Sequence, residues 1–247
     1  MNPVFIINLP KSQSRLKQIT DQLQHYKLTD YEVIEAYDSI NKQKDYINEC
    51  LSEKKCLFEN MYIGYILPNE RPGVIGCFAS HVQIYNKMIN ENIQIAYVLE
   101  DDIIINASLP LLNPTDFDNV DIVYINDRNY GFGSEHRIGP LIVKKCKPKW
   151  GTDGYIVTLH GAKKLIGCCF PMVAPIDTQI RHFTNDSIVT CDKTKKCSKQ
   201  FPLDRKSEYA PIEYQHISKD LVLNVFKTQT NYVIHNNKLK SDISNLK

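Results

Sequence analysis

The feature that most constrains this chain is an apolar run that ends in three consecutive carboxylates. Ile95–Leu99 leads into Glu100, Asp101 and Asp102, and Ile103–Ile105 follows. Continuous apolar runs are typical of strands that are buried on both faces of a sheet. Adjacent carboxylates raise one another's pKa, and a bound Mg²⁺, Mn²⁺ or Ca²⁺ would relieve that repulsion. The sequence predicts a cation site here, and the alternative is a solvated acidic turn.

Size and charge place the chain among ordinary globular proteins. Its 247 residues are enough for one α/β domain with a full core. The 30 Lys+Arg and 28 Asp+Glu leave a net charge of +2, which argues against a protein that wraps nucleic acid. The start of the sequence lacks a signal-peptide pattern, and no apolar run approaches the roughly 20 residues that span a bilayer. We expect a cytoplasmic protein without a membrane span.

The N-terminal segment has the pattern of a strand, a polar turn and a helix. Val4–Leu9 is apolar, Pro10 interrupts it, and helical spacing of apolar residues follows. This unit opens nucleotide-binding α/β folds, and such sheets bind ligands at the carboxyl ends of their strands, here Asn8 and Leu9. Arg15 lies near the helix start, where it would reach a diphosphate or lie exposed to solvent.

A second helix is predicted after two glycines, Gly73 and Gly76. Ser80 and His81 would then lie in its early turns, where the helix dipole favours an anion. The alternative for His81 is a histidine packed against neighbouring helices or strands.

The remaining boundaries are predicted from polarity and glycine content. We expect a single domain over residues 1–235, with an inserted helical or lid region at 38–72 and a polar tail at 236–247. Residues 126–140 contain three glycines and are a candidate lid. Trp150 would either stack on a sugar ring or pack in the core.

Four sequence blocks, taken in order, resemble glycosyltransferase family 25, the group of lipooligosaccharide-type and collagen-modifying galactosyl- and glucosyltransferases. They cover roughly residues 4 to 180, and Val74 stands where the family pattern has a glutamate. The blocks are Ile6–Leu9 with Arg15, Gly73–His81, Val98–Asp102, and Gly154–Val157 with Gly161–Leu165 and Pro175–Asp177.

The resemblance implies a GT-A-like, Rossmann-related fold that binds a nucleotide sugar on a central, mostly parallel sheet flanked by helices. It also implies transfer, with inversion, from a UDP-sugar donor to a hydroxyl of a glycan or glycoprotein. Mn²⁺ or Mg²⁺ would be held by Glu100 and Asp102, with a further ligand from His216 or, as the second choice, His235. The donor would contact Asn8, Leu9, Arg15, Ser80, His81 and Asp101.

Inverting transfer needs a general base beside the acceptor hydroxyl. Asp177 is the candidate, because it follows a proline, opens a late helix and lies in the family's last block. Its alternative role is to cap that helix, in which case Asp153 is the next candidate for the base.

Two other functions fit part of the pattern. A nucleotidyltransferase also places acids after a strand, but it releases pyrophosphate. A catalytically inactive nucleotide- or carbohydrate-binding module is the other alternative, and the intact acidic triplet of Glu100, Asp101 and Asp102 disfavours it.

Overall fold

The computed structural model describes residues 2–38, 72–169, 175–184, 222–237 and 239. The first half of this part contains β1 (Val4–Asn8), α1 (Gln13–His25), β2 (Glu32–Glu35), α2 (Pro72–Asn90), β3 (Ile95–Glu100), β4 (Ile103–Ile105) and β5 (Ile122–Tyr124). The second half contains β6 (Gly131–Ile138), β7 (Leu141–Cys146), β8 (Gly154–Thr158), α3 (Leu159–Cys169), α4 (Ile176–His182), β9 (Val225–Thr228) and β10 (Val233–His235).

Eight strands form one mixed sheet in the order β2-β1-β3-β8-β5-β9-β7-β6. Strands β2, β1, β3, β5, β9 and β6 point one way, whereas β8 and β7 run against them. Most strands are therefore parallel in direction, and helices flank the sheet. This arrangement confirms the predicted α/β class.

Apolar side chains cover both faces of the central strands of the sheet, as the continuous apolar runs predict. Along β1, Phe5 and Ile7 pack with residues of α2, α3 and α4 on one face. Val4 and Ile6 pack on the other face, where α1 contributes Ile19 and other apolar residues. Two buried faces explain why β1, β3 and β8 show no polar alternation.

The register of β1 and β3 brings the first strand to the acidic triplet. Ile6 pairs with Leu99 and Ile7 with Glu100 in parallel, so Asn8 reaches the sheet edge beside Asp101. The short strand β4 leaves this sheet and pairs antiparallel with β10, which places His235 opposite Ile103.

Two expectations about secondary structure are wrong. Residues 126–140 do not form an irregular lid, because β6 pairs with β7 as an antiparallel hairpin. Helix α2 begins at Pro72, so Gly73 and Gly76 lie inside it and Ser80 and His81 lie well beyond its early turns. The helix-dipole argument for an anion at these two residues therefore fails.

Other expectations stay predictions. The proposed insertion at 38–72 and most of the tail at 236–247 lie outside the described residues. Within the described part of the chain, no helix has both the length and the apolar character to cross a membrane.

Candidate active site

Asp101 is held between the first strand and the first helix. Asn8 donates from Nδ2 to Asp101 Oδ2 over 2.6 Å, and Arg15 Nη1 lies 3.3 Å from Asp101 Oδ1. Burial raises the pKa of Asp101 to about 6, and the hydrogen bond from Asn8 and the charge of Arg15 oppose that rise. The Arg15 side chain is only 13% exposed, so the alternative of a solvated helix arginine is wrong.

The turn between β1 and α1 is closed by its own backbone. The Leu9 carbonyl accepts from the Ser12 amide over 2.7 Å, and Asn8 also donates to the Ser12 carbonyl over 3.2 Å. Leu9 itself is partly buried against the core. Hydrogen bonds thus hold this turn beside Asp101. The sequence predicts that the nucleotide sugar binds at the same turn.

One row of helix α2 faces the end of β3. Cys77, His81 and Tyr85 follow one another at intervals of four residues, so they share one side of the helix. His81 is fully buried, with Nδ1 2.8 Å from the Tyr155 hydroxyl and Nε2 3.4 Å from Glu100 Oε1. The Tyr85 and Tyr155 hydroxyls are 3.0 Å apart. A buried polar chain therefore links α2, β8 and Glu100.

Burial shifts the pKa values of side chains in this hydrogen-bonded network. It lowers the pKa of His81 to about 3, so the ring is neutral at physiological pH. Burial, reinforced by the charges of Asp102 and Asp153, raises the pKa of Glu100 to about 8. Glu100 therefore carries a proton at neutral pH unless a cation displaces it.

Ser80 has a structural contact on each side. Its hydroxyl donates to the Gly76 carbonyl over 2.6 Å and accepts from the Tyr37 amide over 2.8 Å. The side chain is fully buried. Ser80 thereby joins α2 to the segment that follows β2, next to the row that carries His81.

Within the described ranges, one group of metal-ligating atoms is compact. Atoms of Cys77, His81 and Glu100 all lie within 4.8 Å of one another. Thr152 donates to Glu100 Oε1 over 3.3 Å. Burial and the nearby charge of Glu100 raise the pKa of the Cys77 thiol.

Asp102 lies at the same edge with an unsatisfied carboxylate. Its side chain is nearly buried, and Oδ1 finds no hydrogen-bond partner among the described residues. Burial raises its pKa, and the charges of His235 and Arg15 lower it. The Asn236 amide donates to the Asp102 carbonyl over 3.1 Å, which keeps β10 and His235 beside the triplet. His216 lies outside the described residues.

Asp153 collects polar contacts next to these acids. Arg128 Nε lies 2.8 Å from Asp153 Oδ2, His235 Nδ1 lies 3.5 Å from the same oxygen, and Asn126 donates to Oδ1. The contact with Asp153 raises the pKa of His235. Asp153 is therefore a structural anchor for three chain segments.

Asp177 reaches the site from helix α4. Its Oδ2 accepts from the Gly151 amide over 2.9 Å, and its Oδ1 accepts from the Thr178 amide over 2.6 Å. The N-cap position is Pro175, so the expectation that Asp177 caps the helix is wrong. The carboxylate is directed toward the segment that precedes β8.

Two acids at this edge are suited to a divalent cation, although the compact group contains Glu100 and not Asp102. Glu100 and Asp102 offer hard oxygen atoms, and the unpaired Oδ1 of Asp102 is a buried acceptor without a donor in the described part of the chain. An isolated buried carboxylate is unfavourable, and a cation would satisfy it. Sequence reasoning missed Cys77, although its spacing of four residues from His81 was a usable signal. It also missed Thr152, Arg128 and Asn126, because only the fold brings them to the acids.

Comparison with known proteins finds relatives among the glycosyltransferases. Human procollagen galactosyltransferase 2 is 26% identical over 190 residues, which cover 70% of this chain and 29% of the relative. A glycosyltransferase 25 family member of Anopheles gambiae is 31% identical over 179 residues, covering 67% and 28%. The lipooligosaccharide biosynthesis protein lex-1 of Haemophilus influenzae is 28% identical over 137 residues, covering 49% and 41%. The chain thus matches less than a third of the length of the animal relatives.

A solved glycosyltransferase involved in the glycosylation of the major capsid of PBCV-1 covers 98% of this chain and 95% of its own, with 10% identity and a TM-score of 0.39. That likeness is too low to carry an argument. The sequence profile of glycosyltransferase family 25 (LPS biosynthesis protein) matches residues 1–180, which is most of the chain. The protein therefore belongs to glycosyltransferase family 25, and its fold is of the α/β class.

Proposed function

We propose that the protein transfers a sugar from a UDP-sugar donor to a hydroxyl of a glycan or glycoprotein, with inversion and with the help of a divalent cation. The main support for this proposal is the pair of acids at the end of β3. Glu100 has a pKa raised to about 8, and Asp102 Oδ1 is buried without a partner among the described residues. A cation at this edge would displace the proton of Glu100 and pair with the unpartnered oxygen of Asp102.

Glu100 and Asp102 would hold Mn²⁺ or Mg²⁺. When bound there, the cation would neutralise the charge that develops on the leaving diphosphate. A further ligand would come from the C-terminal part, for which His216 and His235 are the candidates. His235 has support from its place beside the triplet, since its strand β10 pairs with β4.

The donor nucleotide would lie along the turn after β1. Asn8 and Leu9 end a strand whose carboxyl edge is shared with the acids, which is where open α/β sheets bind ligands. Arg15 and Asp101 already form an ion pair there, so Arg15 would meet a diphosphate only by sharing its guanidinium. His81 and Ser80 would support this surface from α2, His81 through Glu100.

Asp177 would act as the general base. A single displacement forms the bond from the acceptor oxygen to the anomeric carbon as the bond to the diphosphate breaks. The acceptor proton passes to a carboxylate, and the bonding electron pair leaves with UDP. Asp177 is better suited than Asp153, because its side chain is partly exposed, whereas Asp153 is buried and paired with Arg128.

The proposal is tested by incubating the purified protein with a panel of UDP-sugars and measuring released UDP. UDP-galactose comes first, because one relative is named a procollagen galactosyltransferase. We expect UDP release with Mn²⁺ or Mg²⁺ and little with a chelator, and a product of inverted anomeric configuration by NMR. Release of pyrophosphate would instead indicate nucleotidyl transfer, and binding without turnover would indicate an inactive module.

A further inference from the structure

The single tryptophan of the chain is exposed and precedes the residue whose amide binds the proposed base. Trp150 is 63% exposed, so it contributes little to the core, and the alternative of core packing is wrong. An exposed indole presents a large, flat apolar face that a ligand ring can cover. Its position directly before Gly151 places it next to the amide that donates to Asp177.

The backbone that carries Trp150 is held by a network of hydrogen bonds. Asn129 donates from Nδ2 to the Trp150 carbonyl over 3.1 Å and to the Gly151 carbonyl over 3.3 Å. Asn129 Oδ1 accepts from the Lys149 amide over 2.8 Å. The following residue, Thr152, donates to Glu100. A firmly held backbone beneath an exposed ring is the arrangement expected of a preorganised binding surface.

A second exposed aromatic residue lies next to Asn129, the residue that makes these hydrogen bonds. Tyr130 follows Asn129 in the chain and is 65% exposed. The Lys149 ammonium lies 5.3 Å from the centre of the Tyr130 ring, within the range of a cation–π contact. Lys149, the residue before Trp150, thus contacts the Tyr130 ring. The hydrogen bonds of Asn129 join the segment of Tyr130 to the segment of Trp150.

We propose that Trp150 is the stacking platform for a sugar ring of the acceptor, with Tyr130 at its margin. This inference rests on the proposed function, in which Asp177 takes the acceptor proton. A pyranose ring has an apolar face of C–H groups and a rim of hydroxyls, so an indole can cover the face while a nearby carboxylate receives a hydroxyl proton. The Gly151 amide binds the carboxylate of Asp177, so the backbone next to Trp150 adjoins the proposed base. The ligand class is therefore a saccharide acceptor whose hydroxyl-bearing ring lies on the indole.

The chain offers a direct test, because its only tryptophan is the residue in question. Selectively excited tryptophan emission then reports Trp150 alone in the unmodified protein. A panel of methyl glycosides is titrated in the presence of UDP and Mn²⁺. Stacking removes water from the indole and is expected to shift its emission to shorter wavelength in a saturable way for at least one glycoside. No saturable change with any glycoside would overturn the inference.

Kinetics separate an acceptor role from a structural one. Transfer to water, measured as UDP release without acceptor, needs the donor site alone. Transfer to the glycoside that gives the fastest UDP release also needs the acceptor platform. For Trp150→Leu we expect donor hydrolysis near the parent rate and a rise of roughly tenfold in the acceptor KM, and Trp150→Phe should restore most of the loss. Leu111→Ala, at a residue that is 72% exposed, is the matched control and should change neither rate.

The outcomes distinguish the two proposals. Normal transfer by Trp150→Leu, with active parent enzyme, would overturn the platform and leave the proposed function intact. Equal loss of hydrolysis and transfer would show that Trp150 serves the fold or the donor, which also overturns it. If no UDP-sugar is turned over by the parent, the proposed function fails, and the emission titration alone decides whether a saccharide binds at Trp150.

Discussion

The carboxylate of Asp177 accepts a hydrogen bond from the backbone amide of Gly151 over 2.9 Å. This contact joins helix α4 to the segment before β8, and the next residue, Thr152, contacts Glu100. The proposed base and the proposed cation ligand are therefore positioned by two consecutive residues. Changes in this short segment should affect both halves of the site.

Gly151→Ala should destabilise the protein more than its backbone strain alone predicts. Gly151 has a φ of +72°, and an added Cβ would lie 2.7 Å from Arg128 Cδ, so the Arg128–Asp153 ion pair would have to shift. We expect the free energy of unfolding to fall by about 1–2 kcal/mol from the left-handed backbone, and by more from the crowding. Urea denaturation and the rate of UDP release measure the two effects.

Gly133→Ala is the matched control for that substitution. Gly133 has a φ of +76°, but an added Cβ would meet nothing within 4 Å. It should lose only the backbone contribution and keep its turnover. Equal stability losses in the two variants, with turnover unchanged in both, would show that the close approach of Arg128 to Gly151 is unimportant.

Asp177→Asn should separate catalysis from structure. The single amide oxygen can replace only one of the two carboxylate oxygens that accept from the Gly151 and Thr178 amides, so we expect a modest fall in melting temperature and unchanged donor affinity. Loss of a general base typically lowers the rate by about 10²–10⁴-fold. Turnover is measured beside Asp118→Asn, at an exposed aspartate to which we assign no role in the site. If Asp177→Asn keeps turnover within a few-fold of the parent, the base is another residue.

Arg15→Met should destabilise the fold, because Asp101 would lose the guanidinium group with which it forms an ion pair. Both side chains are nearly buried, so we expect a loss of about 1–3 kcal/mol in the free energy of unfolding, partly recovered when Asp101→Asn is added. Lys17→Met is the control, because its pair with Asp21 is 75% and 59% exposed and should contribute about 1 kcal/mol at most. Similar losses for the two single variants would argue against the buried pair.

Cation binding should strengthen as the pH rises toward 8. The pKa of Glu100 is raised to about 8, so below that pH a cation must displace a proton. The apparent affinity for Mn²⁺ is expected to weaken by up to about tenfold per pH unit below 8 and to level off above it. Calorimetry at pH 7 in buffers of different ionisation enthalpy counts the released proton. Glu100→Gln should release none, and equal release by both proteins would contradict this assignment.

Much of the site was predictable because it lies on strongly patterned elements. The apolar run before Glu100 and the strand that ends at Asn8 identify the sheet edge, and two buried faces explain their lack of alternation. The contact between Asn8 and Asp101, 93 residues apart, follows from the parallel pairing of their strands. The role of Arg15 as an ion-pair partner was missed, because its burial depends on that pairing.

Other features of the structure had no recognisable pattern in the local sequence. The hairpin strand β6 is almost wholly exposed, so backbone pairing with β7 defines it and no apolar pattern marks it. The start of α2 was misplaced because glycines inside it resemble a turn. Arg128 and Asn126 reach Asp153 only through the folded chain.

Calorimetry of UDP binding tests the central claim most directly. We expect UDP to bind the parent protein in the presence of Mn²⁺ or Mg²⁺ and to bind much more weakly after chelation. Asp102→Asn should bind weakly under both conditions while its melting curve shows a folded protein. Equal UDP affinity with and without the cation, or an unchanged affinity in Asp102→Asn, would contradict a donor site built on Glu100 and Asp102.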